Sequence, residues 1–392
     1  MAGRTPEERQ ALGVQGQLLV DLFERAGFSH IAPEILQPAD LFLDRSGENI
    51  RARTFVFTDP SGAELCLRPD LTVPACRYHL SHAPSAGTEA RYCYLGPAFR
   101  FQHGGAPAGA PPEFEQAGVE WYADQDHAEA DAETLKLALA AVEAAGLADY
   151  GVRLGDLGLF KALLRSIPMP ERWRRRLMHQ YWRPQAFRAL LDTLTGRTPR
   201  PRSSISALID GIAAHGPETA GQRVERELDS RGLALVGGRS IEEIAGRLAE
   251  KAADRSEAPL PEDAARLFDR YLSIAGPPQE ALKELQALAQ GLGEPFGDAV
   301  SLFERRMLRA AALGTDLNRI AFSGAFGRNL EYYTGYMFQI EVARENVAPL
   351  IIGGGGRYDE LLSDIGSPEP VPAVGFALYT ERLLAATRGL AP

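Results

Sequence analysis

Arg328-Asn-Leu-Glu-Tyr-Tyr-Thr-Gly335 carries more information about this chain than any other stretch, and a β-prone run follows it directly at residues 337–342. A second stretch, Gly353-Gly-Gly-Gly-Arg-Tyr-Asp-Glu360, comes after the apolar run at 350–352. Four consecutive glycines allow a ligand or a neighbouring strand to approach the backbone closely. They are not a dinucleotide fingerprint, because the GxGxxG spacing fails. Ala373-Val-Gly-Phe-Ala-Leu-Tyr-Thr-Glu-Arg382 then predicts one more strand leading into a helix.

Upstream of these stretches, short β-prone runs alternate with helices. Residues 54–58 and 64–68 predict a hairpin around the turn Asp59-Pro-Ser-Gly62. Residues 113–122 alternate in polarity and predict a strand that returns antiparallel to the run at 89–95. Residues 127–145 are rich in Ala, Leu and Glu and predict a helix.

A long helical segment interrupts this pattern. Residues 161–312 contain Arg, Ala, Leu and Glu runs that break at Pro199-Arg-Pro201, Gly237-Gly238 and Gly276-Pro-Pro278. We therefore predict an α+β fold, in which an antiparallel sheet flanked by helices is built from residues 1–160 and 313–392. The segment 161–312 is then a mostly helical insertion between the two parts of the core.

Composition limits the classes of function. The chain has 392 residues, of which 45% are hydrophobic and 24% charged, and a net charge of −10. That charge argues against general nucleic-acid binding, which needs a basic surface. Three cysteines without CxxC spacing are typical of a reducing compartment. Neither a signal peptide nor an apolar run of about 18 residues is evident, so we expect a cytoplasmic protein that does not enter the membrane.

Two polar residues follow the predicted hairpin, in Leu67-Arg-Pro-Asp-Leu-Thr-Val-Pro-Ala75. The carboxylate of Asp70 and the hydroxyl of Thr72 could together hold an ammonium group. The alternative is a helix cap made by either residue. Arg100 lies on a predicted strand between two phenylalanines. It could bind a carboxylate or phosphate through two hydrogen bonds, or it could simply be a surface residue.

A second polar pair lies on one predicted strand. Gln116 and Glu120 are four residues apart and therefore point to the same face. Burying them is costly unless their hydrogen bonds are satisfied. The sequence leaves open whether this face is a polar pocket or faces solvent.

Two other patterns have competing explanations. Cys76, His79 and His82 recur every three residues, but a structural zinc site needs four ligands. We expect a helix with two exposed histidines there, and no metal. Residues 171–202 contain nine arginines and only two acidic residues. This segment could be an RNA-contacting patch, a solvated helix face, or a docking site for an acidic partner, and in an acidic protein we expect one of the last two.

Together these motifs resemble the catalytic core of the histidyl-tRNA synthetases, which have a class II aminoacyl-tRNA synthetase fold. Pro33-Glu-Ile-Leu36 with Phe42 is similar to motif 1, the dimer-interface segment, and Gly96 through Glu120 is similar to motif 2. Gly375 through Arg382 is similar to motif 3. The Arg-x-Leu-Asp/Glu-Tyr-Tyr-Thr-Gly signature is particular to the histidyl branch.

The resemblance implies a site for L-histidine. Asp70 and Thr72 would hold its α-amino group, and Arg100 and Arg328 would contact its carboxylate. The remaining residues that would line the pocket are Gln116, Glu120, Tyr332 and Tyr333. A neutral imidazole has one hydrogen-bond donor and one acceptor, so a pocket that satisfies both can reject apolar isosteres strongly.

The departures from the synthetase pattern are informative. The motif 2 loop, residues 101–113, contains no Arg or Lys, although adenylate formation needs cations at the phosphates. Tyr379 occupies the place of a motif 3 glycine, where the adenine would lie, so Tyr379 and Arg382 would be remnants of an ATP site. Only ten residues follow Arg382, so we expect no anticodon-binding domain.

These departures resemble a family of synthetase paralogues, the ATP phosphoribosyltransferase regulatory subunits. The resemblance implies a non-catalytic chain without a cofactor that senses histidine. It also implies a short-form catalytic subunit as partner and a homodimer inside a hetero-oligomer. Two alternatives remain: a truncated enzyme that still adenylates histidine or a related amino acid, and a tRNA-binding accessory protein.

Overall fold

The computed structural model describes residues 3–43, 53–101, 111–199, 205–231, 240–327 and 332–389. The chain forms two compact units, the first made of Met1–Ser166 and Arg270–Pro392 and the second of Ile167–Asp269. The second unit is shorter than the helical segment expected at 161–312. The difference arises because the helices between residues 278 and 312 pack within the first unit.

Helices α1 to α15 are numbered in chain order over the described residues: α1 Pro6–Arg25, α2 Asp40–Leu43, α3 Thr72–His82, α4 His127–Ala144, α5 Leu157–Ser166, α6 Glu171–Gln180, α7 Pro184–Leu194, α8 Ser206–His215, α9 Ala220–Arg231, α10 Ile241–Ser256, α11 Glu262–Ser273, α12 Pro278–Ala289, α13 Glu294–Ala312, α14 Leu361–Asp364 and α15 Thr380–Thr387. The strands are β1 Ser29–His30, β2 Leu36–Pro38, β3 Val56–Thr58, β4 Glu64–Leu67, β5 Ala90–Phe99, β6 Glu113–Tyr122, β7 Gly151–Asp156, β8 Ala275–Gly276, β9 Ile320–Ser323, β10 Tyr336–Val342, β11 Leu350–Arg357 and β12 Ala373–Tyr379.

A large sheet organises the first unit. Its nine strands lie in the order β1-β5-β6-β12-β11-β10-β7-β9-β8 over the described residues. The central pairings from β5 to β7 are all antiparallel, as the sequence predicts, whereas β1 with β5 and β7 with β9 are parallel. A smaller sheet, β2-β4-β3, contains the hairpin predicted from residues 54–68.

Local sequence signals explain where several elements begin. Thr5 caps α1 in a reciprocal capping box with Glu8, and Pro6 occupies the first helical position. Asp126 caps α4 by accepting hydrogen bonds from the backbone of Ala128 and Glu129. The glycines of β11 permit tight pairing, because a Cβ on Gly355 would lie 2.8 Å from Phe376 Cα on β12.

A buried ion-pair network ties the helices of the first unit to the sheet. Arg306 on α13 pairs with Asp131 on α4 at 2.5 Å and with Asp156 at the end of β7 at 2.6 Å. Arg357 at the end of β11 pairs with the same Asp131 at 2.8 Å and with Asp124 at 2.9 Å. All five side chains are buried, so each guanidinium depends on these carboxylates for compensation of its charge.

The second unit is helical and has its own apolar core. α8, α9 and α10 pack around Ile212, Val224 and Leu248. α6 is joined to α10 by a buried carboxylate, because Trp173 and Arg172 both donate hydrogen bonds to Asp254, at 2.6 and 2.7 Å. The second unit is therefore stabilised both by apolar packing and by hydrogen bonds to a buried carboxylate.

The helix that carries Cys76, His79 and His82 differs from expectation in one respect. His79 is buried rather than exposed, and its Nε2 lies 2.9 Å from the carbonyl oxygen of Ala86. The apolar face of α3 turns this histidine inward, where a tilted contact with Tyr122 covers it. The cysteines Cys66, Cys76 and Cys93 are buried free thiols. Within the described part of the chain, no helix has the length and apolar character needed to cross a bilayer.

Candidate ligand-binding site

One cavity in the first unit collects most of the polar residues selected from the sequence. Its volume is about 380 Å³, counting the open space at its mouth. Strands β6, β11 and β12 form one wall, and the start of α3 forms another. The lining residues are Asp70, Thr72, Arg100, Gln116, Glu120, Tyr332, Tyr333, Gly354, Tyr358, Gly375, Phe376, Ala377 and Tyr379.

Glu120 on β6 is almost completely buried, at 1% exposure, among hydroxyl groups. Tyr94 donates a hydrogen bond to its Oε1 at 3.0 Å, and Tyr358 donates one to its Oε2. Burial raises the pKa of Glu120 to about 8, against the opposing effect of hydrogen bonds from Tyr358, Thr72 and Tyr94. The side chain is therefore mostly a neutral acid at pH 7 when the cavity is empty.

Asp70 lies at the entrance of α3 and is also buried. Its Oδ1 accepts a hydrogen bond from the backbone N–H of Val73 at 3.4 Å, so it supports the first helical turn while it lines the cavity. Burial raises its pKa, and the positive charge of Arg100 acts in the opposite direction. The helix-capping and ligand-binding roles considered from the sequence are thus compatible.

Gln116 on β6 is buried, and its orientation is fixed by one hydrogen bond. The side-chain oxygen accepts from the backbone N–H of Leu71 at 3.2 Å. Gln116 lines the cavity, and its amide nitrogen can donate two hydrogen bonds. Of the two alternatives left open by the sequence, the structure selects burial for both Gln116 and Glu120.

Tyr379 lines the cavity and contacts two arginines. The Arg100 Nη1 donates a hydrogen bond to the Tyr379 hydroxyl at 3.3 Å. The Arg382 guanidinium lies 4.3 Å from the centre of the tyrosine ring and donates to the carbonyl oxygen of Ile351 at 3.1 Å. Arg100 also lies over the ring of Phe114, at 5.0 Å. The phenol therefore engages both guanidinium groups.

Aromatic rings form the remaining wall. Tyr332 and Tyr333 have ring centroids 4.9 Å apart, and Tyr332 meets Tyr358 edge to face at 5.8 Å. A flat, partly polar ligand could pack against these rings. The cavity thus combines aromatic surface with several polar groups at fixed positions.

Seven of the eight predicted histidine-binding residues line this single cavity. The eighth, Arg328, lies outside the described residues, as do residues 102–110 of the motif 2 loop. The predicted ATP-site remnants are adjacent to the cavity, with Tyr379 in its lining and Arg382 stacked on Tyr379.

Two hydroxyl groups that contact Glu120, and the role of one glycine beside it, were not predicted from the sequence. Tyr94 and Tyr358 hold Glu120, and Gly375 leaves room for its carboxylate. A signal for Tyr358 was present, because it follows Gly354 and Gly356 at the two-residue period of β11 and therefore shares their face. Tyr94 had no such signal, since its role depends on the long-range pairing of β5 with β6.

The arrangement suits a small zwitterion with a polar ring. A carboxylate and a hydroxyl at the start of α3 can accept hydrogen bonds from an ammonium group, and Arg100 can donate to a carboxylate. The carboxyl group of Glu120 can donate a hydrogen bond to a ring nitrogen or accept one from a ring N–H. Among the described residues, no cluster of His, Cys, Asp and Glu has the composition of a metal site.

Comparison with known protein families gives matches over most of the chain. A family model described as histidyl-tRNA synthetase matches residues 2–230 and 238–383. An ATP phosphoribosyltransferase regulatory subunit of Allorhizobium ampelinum is 35% identical over 368 residues, which cover 93% of this chain and 95% of that protein. One from Chelativorans sp. is 36% identical over 379 residues, covering 95% and 97%.

Solved structures show the same fold. A structure described as an ATP phosphoribosyltransferase regulatory subunit/histidyl-tRNA synthetase from Bacillus halodurans matches with a TM-score of 0.68 and 24% identity, over 99% of this chain and 82% of that one. The histidyl-tRNA synthetase of Nostoc sp. matches with a TM-score of 0.63 and 18% identity, over 100% and 77%. The class II synthetase fold predicted from the sequence is confirmed.

Proposed function

The chain belongs to the histidyl-tRNA synthetase family and, within it, to the ATP phosphoribosyltransferase regulatory subunits, and from this premise we propose that it regulates a separate catalytic subunit. That enzyme joins ATP to phosphoribosyl pyrophosphate in the first step of histidine biosynthesis. The active site belongs to the short-form catalytic subunit. This chain contributes activation and feedback control by L-histidine, inside a hetero-oligomer in the cytoplasm.

The observation that carries the proposal is the convergence of the polar residues on one cavity. In it, the α-ammonium group of histidine binds Asp70 and Thr72, and the carboxylate group binds Arg100 together with Arg328. The imidazole lies between the tyrosine wall and Glu120. Charge pairing offsets the cost of burying Asp70, so an occupied cavity is electrostatically more favourable than an empty one.

The cavity also supports a non-catalytic role. The phenol of Tyr379 engages Arg100 and Arg382, two of the guanidinium groups that a synthetase would direct at ATP. The loop at 101–113 supplies no further cation. Adenylation needs preorganised positive charge where the phosphates react. Histidine-dependent ATP–pyrophosphate exchange by the isolated chain would instead favour the alternative of a truncated synthetase.

Feedback control follows if histidine binds two states of the assembly with different affinity. Coupling between sites is reciprocal, and a factor of about 5–150 in affinity corresponds to about 1–3 kcal/mol. Histidine that favours the less active assembly must therefore bind that assembly more tightly. The binding free energies of histidine, of the catalytic subunit and of its substrates are then coupled to one another.

Reconstitution with a short-form catalytic subunit tests the proposal. We expect the chain to raise phosphoribosyl transfer and to make it sensitive to histidine. Asp70→Asn should lose histidine sensitivity while activation remains, because it keeps the shape of the side chain and removes its charge. Asp59→Asn is the matched control, since Asp59 only organises the exposed turn before β4. Absence of both activation and histidine sensitivity with the wild-type chain would reject the proposed function.

A further inference from the structure

A groove in the second unit is lined by basic side chains above an apolar floor. It lies between α6, α7 and α10 and has a volume of about 1200 Å³, counting the open space at its mouth. We call it the arginine groove. Its lining residues are Arg172, Arg175, Arg176, His179, Gln180, Ala186, Ala189, Leu190, Arg247 and Glu250.

The groove belongs to the basic part of an acidic protein. Residues 167–269 contain 17 Lys and Arg against 15 Asp and Glu, whereas the rest of the chain contains 25 against 37. The second unit thus carries a formal charge of +2 and the first unit −12. A partner with acidic surface groups is therefore repelled by the first unit but not by the second.

Two arginines of α6 are held in place by a carboxylate of α10. Asp254, with a side-chain exposure of 11%, pairs with Arg172 at 2.7 Å and with Arg176 at 2.5 Å. Burial acts to raise its pKa, but hydrogen bonds from Arg172 and Trp173 hold that pKa below its usual value. Asp254 therefore stays ionised and fixes two guanidinium groups along one edge of the groove, which reduces the entropy that a partner must remove.

The outer arginines keep donors for a partner. Arg175 is 63% exposed and uses one nitrogen to pair with Glu250 at 2.5 Å. Arg247 lies on α10, the helix that carries Glu250, and has no hydrogen-bond or ion-pair partner within the described residues. A guanidinium has five N–H donors, so both side chains can bind a carboxylate that enters the groove.

The floor indicates what kind of chain fits. Ala186, Ala189 and Leu190 line it at spacings of three and four residues along α7, which places them on one helix face. Small and apolar side chains between helices accept the apolar stripe of another helix. An occupant must therefore combine an apolar face with carboxylates along its edge.

Nucleic acid fits the groove less well. Phosphate binding draws its affinity from a broad surface of uncompensated positive charge. Here Asp254, Glu250 and Glu257 already pair with three of the four arginines, and the whole unit has a formal charge of only +2. The remaining positive charge suits two or three carboxylates rather than a phosphate backbone.

We propose that the arginine groove docks an acidic amphipathic helix of the catalytic subunit. This inference rests on the proposed function for the identity of the partner. In the complex, carboxylates of that helix pair with Arg175 and Arg247, and its apolar residues pack on Ala189 and Leu190.

The test compares two double charge reversals in the full chain. Arg175→Glu/Arg247→Glu removes the outer donors of the groove, and Arg226→Glu/Arg266→Glu makes the same change of charge on exposed residues of α9 and α11. Binding to the catalytic subunit is measured by calorimetry at two salt concentrations, after circular dichroism has shown that both variants keep their helices. The groove variant should bind at least about tenfold more weakly, and the control should stay within about twofold.

A second measurement does not depend on those variants. A photo-crosslinking amino acid at Ala189 should link to one segment of the catalytic subunit with carboxylates at helical spacing. Changing those carboxylates to lysine should restore binding to Arg175→Glu/Arg247→Glu. This rescue distinguishes direct pairing from a general loss of charge complementarity.

The outcomes separate the two proposals. A wild-type chain that neither binds nor activates the catalytic subunit rejects the proposed function. A wild-type chain that activates, with a groove variant that binds equally tightly or a crosslink that never reaches the catalytic subunit, rejects the docking site alone. Salt-dependent binding of tRNA that Arg175→Glu/Arg247→Glu abolishes would assign the groove to nucleic acid and overturn the inference.

Discussion

Gly375 on β12 lies directly opposite Glu120 on β6, and the carboxylate of Glu120 occupies the space that a side chain on Gly375 would need. The two residues are register partners, and a Cβ built on Gly375 would lie 2.8 Å from Glu120 Cδ. Its contacts with the carboxylate and with the backbone of Val119 would be closer still. The position of the carboxylate in the cavity thus depends on the absence of one methyl group.

Gly375→Ala should therefore displace Glu120 and weaken histidine binding by at least about tenfold, since a shift of about 1 Å at a polar site is enough for such a loss. Titration calorimetry with L-histidine measures it. Gly151→Ala is the matched control, because Gly151 lies on β7 of the same sheet and an added Cβ meets nothing within 4 Å. Unchanged affinity in Gly375→Ala would show that the carboxylate position does not matter for the ligand.

Glu120 should make stability depend on pH in an identifiable window. Burial raises its pKa to about 8 from an ordinary value of 4.5. Between those values the folded chain keeps a proton that the unfolded chain loses, so the contribution of Glu120 is fully present below about pH 4.5. Between those two pH values the free energy of unfolding declines by at most about 1.4 kcal/mol per pH unit. Above about pH 8 the contribution of Glu120 is lost. Urea unfolding of Glu120→Gln should lack this decline.

As pH increases from 5 to 9, the urea concentration at the unfolding midpoint should fall for the wild-type chain relative to Glu120→Gln. Glu341→Gln, on β10 outside the cavity lining, should follow the wild-type chain at every pH. Parallel pH profiles for the wild-type chain and Glu120→Gln would mean that Glu120 is ionised in the fold at neutral pH, contrary to this account.

The sequence predicted the elements of the site better than their surroundings. Asp70, Gln116 and Glu120 could be selected because each lies in a local motif whose period or position is visible in the chain. Burial of His79 and the hydroxyl contacts of Tyr94 could not, because they depend on which strand lies beside which. A two-residue period states that two side chains share a face, but it does not say whether that face is covered.

The same limit applies to the fold. The central antiparallel strands followed from β-prone runs and turns, but the edge strand β1 has only two residues and is too short to give a pattern. The parallel pairing of β7 with β9 also leaves no local signal in the sequence. Arg306 and Arg357 were not singled out, because their buried partners, Asp124, Asp131 and Asp156, lie more than 100 residues away in sequence. Long-range charge pairs leave no local signal.

That ion-pair network leads to a third prediction. Arg306→Met should destabilise the first unit by about 3–5 kcal/mol at pH 7, because it leaves Asp131 and Asp156 with less compensation in a buried site. The loss should shrink at acidic pH, since burial already raises the pKa of Asp156 and protonation removes the uncompensated charge. Arg309 lies one turn further along α13, is itself exposed and pairs with the partly buried Glu129, so Arg309→Met should cost about 1 kcal/mol or less.

Thermal unfolding of both variants between pH 4 and 7 measures these differences. Equal losses for the buried and the exposed arginine would mean that the network contributes no more than a surface pair. A loss that grew toward acidic pH would contradict the assigned charge states.

Tyr379 should control access to the former ATP end of the cavity. Tyr379→Gly removes the ring on which Arg382 stacks and the hydroxyl that accepts from Arg100, so both guanidinium groups become available to phosphates. We expect this variant to bind ATP at millimolar concentration in calorimetry and the wild-type chain not to bind it. Tyr379→Phe keeps the ring and should behave like the wild-type chain. Equal ATP binding by all three proteins would show that Tyr379 is no obstacle.

Self-association should depend on the small sheet, as expected from the resemblance of residues 33–42 to a dimer-interface motif. Leu36 on β2 and Phe57 on β3 are exposed to 47% and 41%, and a second copy would cover such apolar side chains. Leu36→Asp/Phe57→Asp should therefore convert a dimer into a monomer in sedimentation velocity, because two buried charges per subunit would lack partners. Leu308→Asp, which places a charge on an exposed leucine of α13, is the control and should remain dimeric. A dimer that survives the double substitution would place the interface elsewhere on the chain.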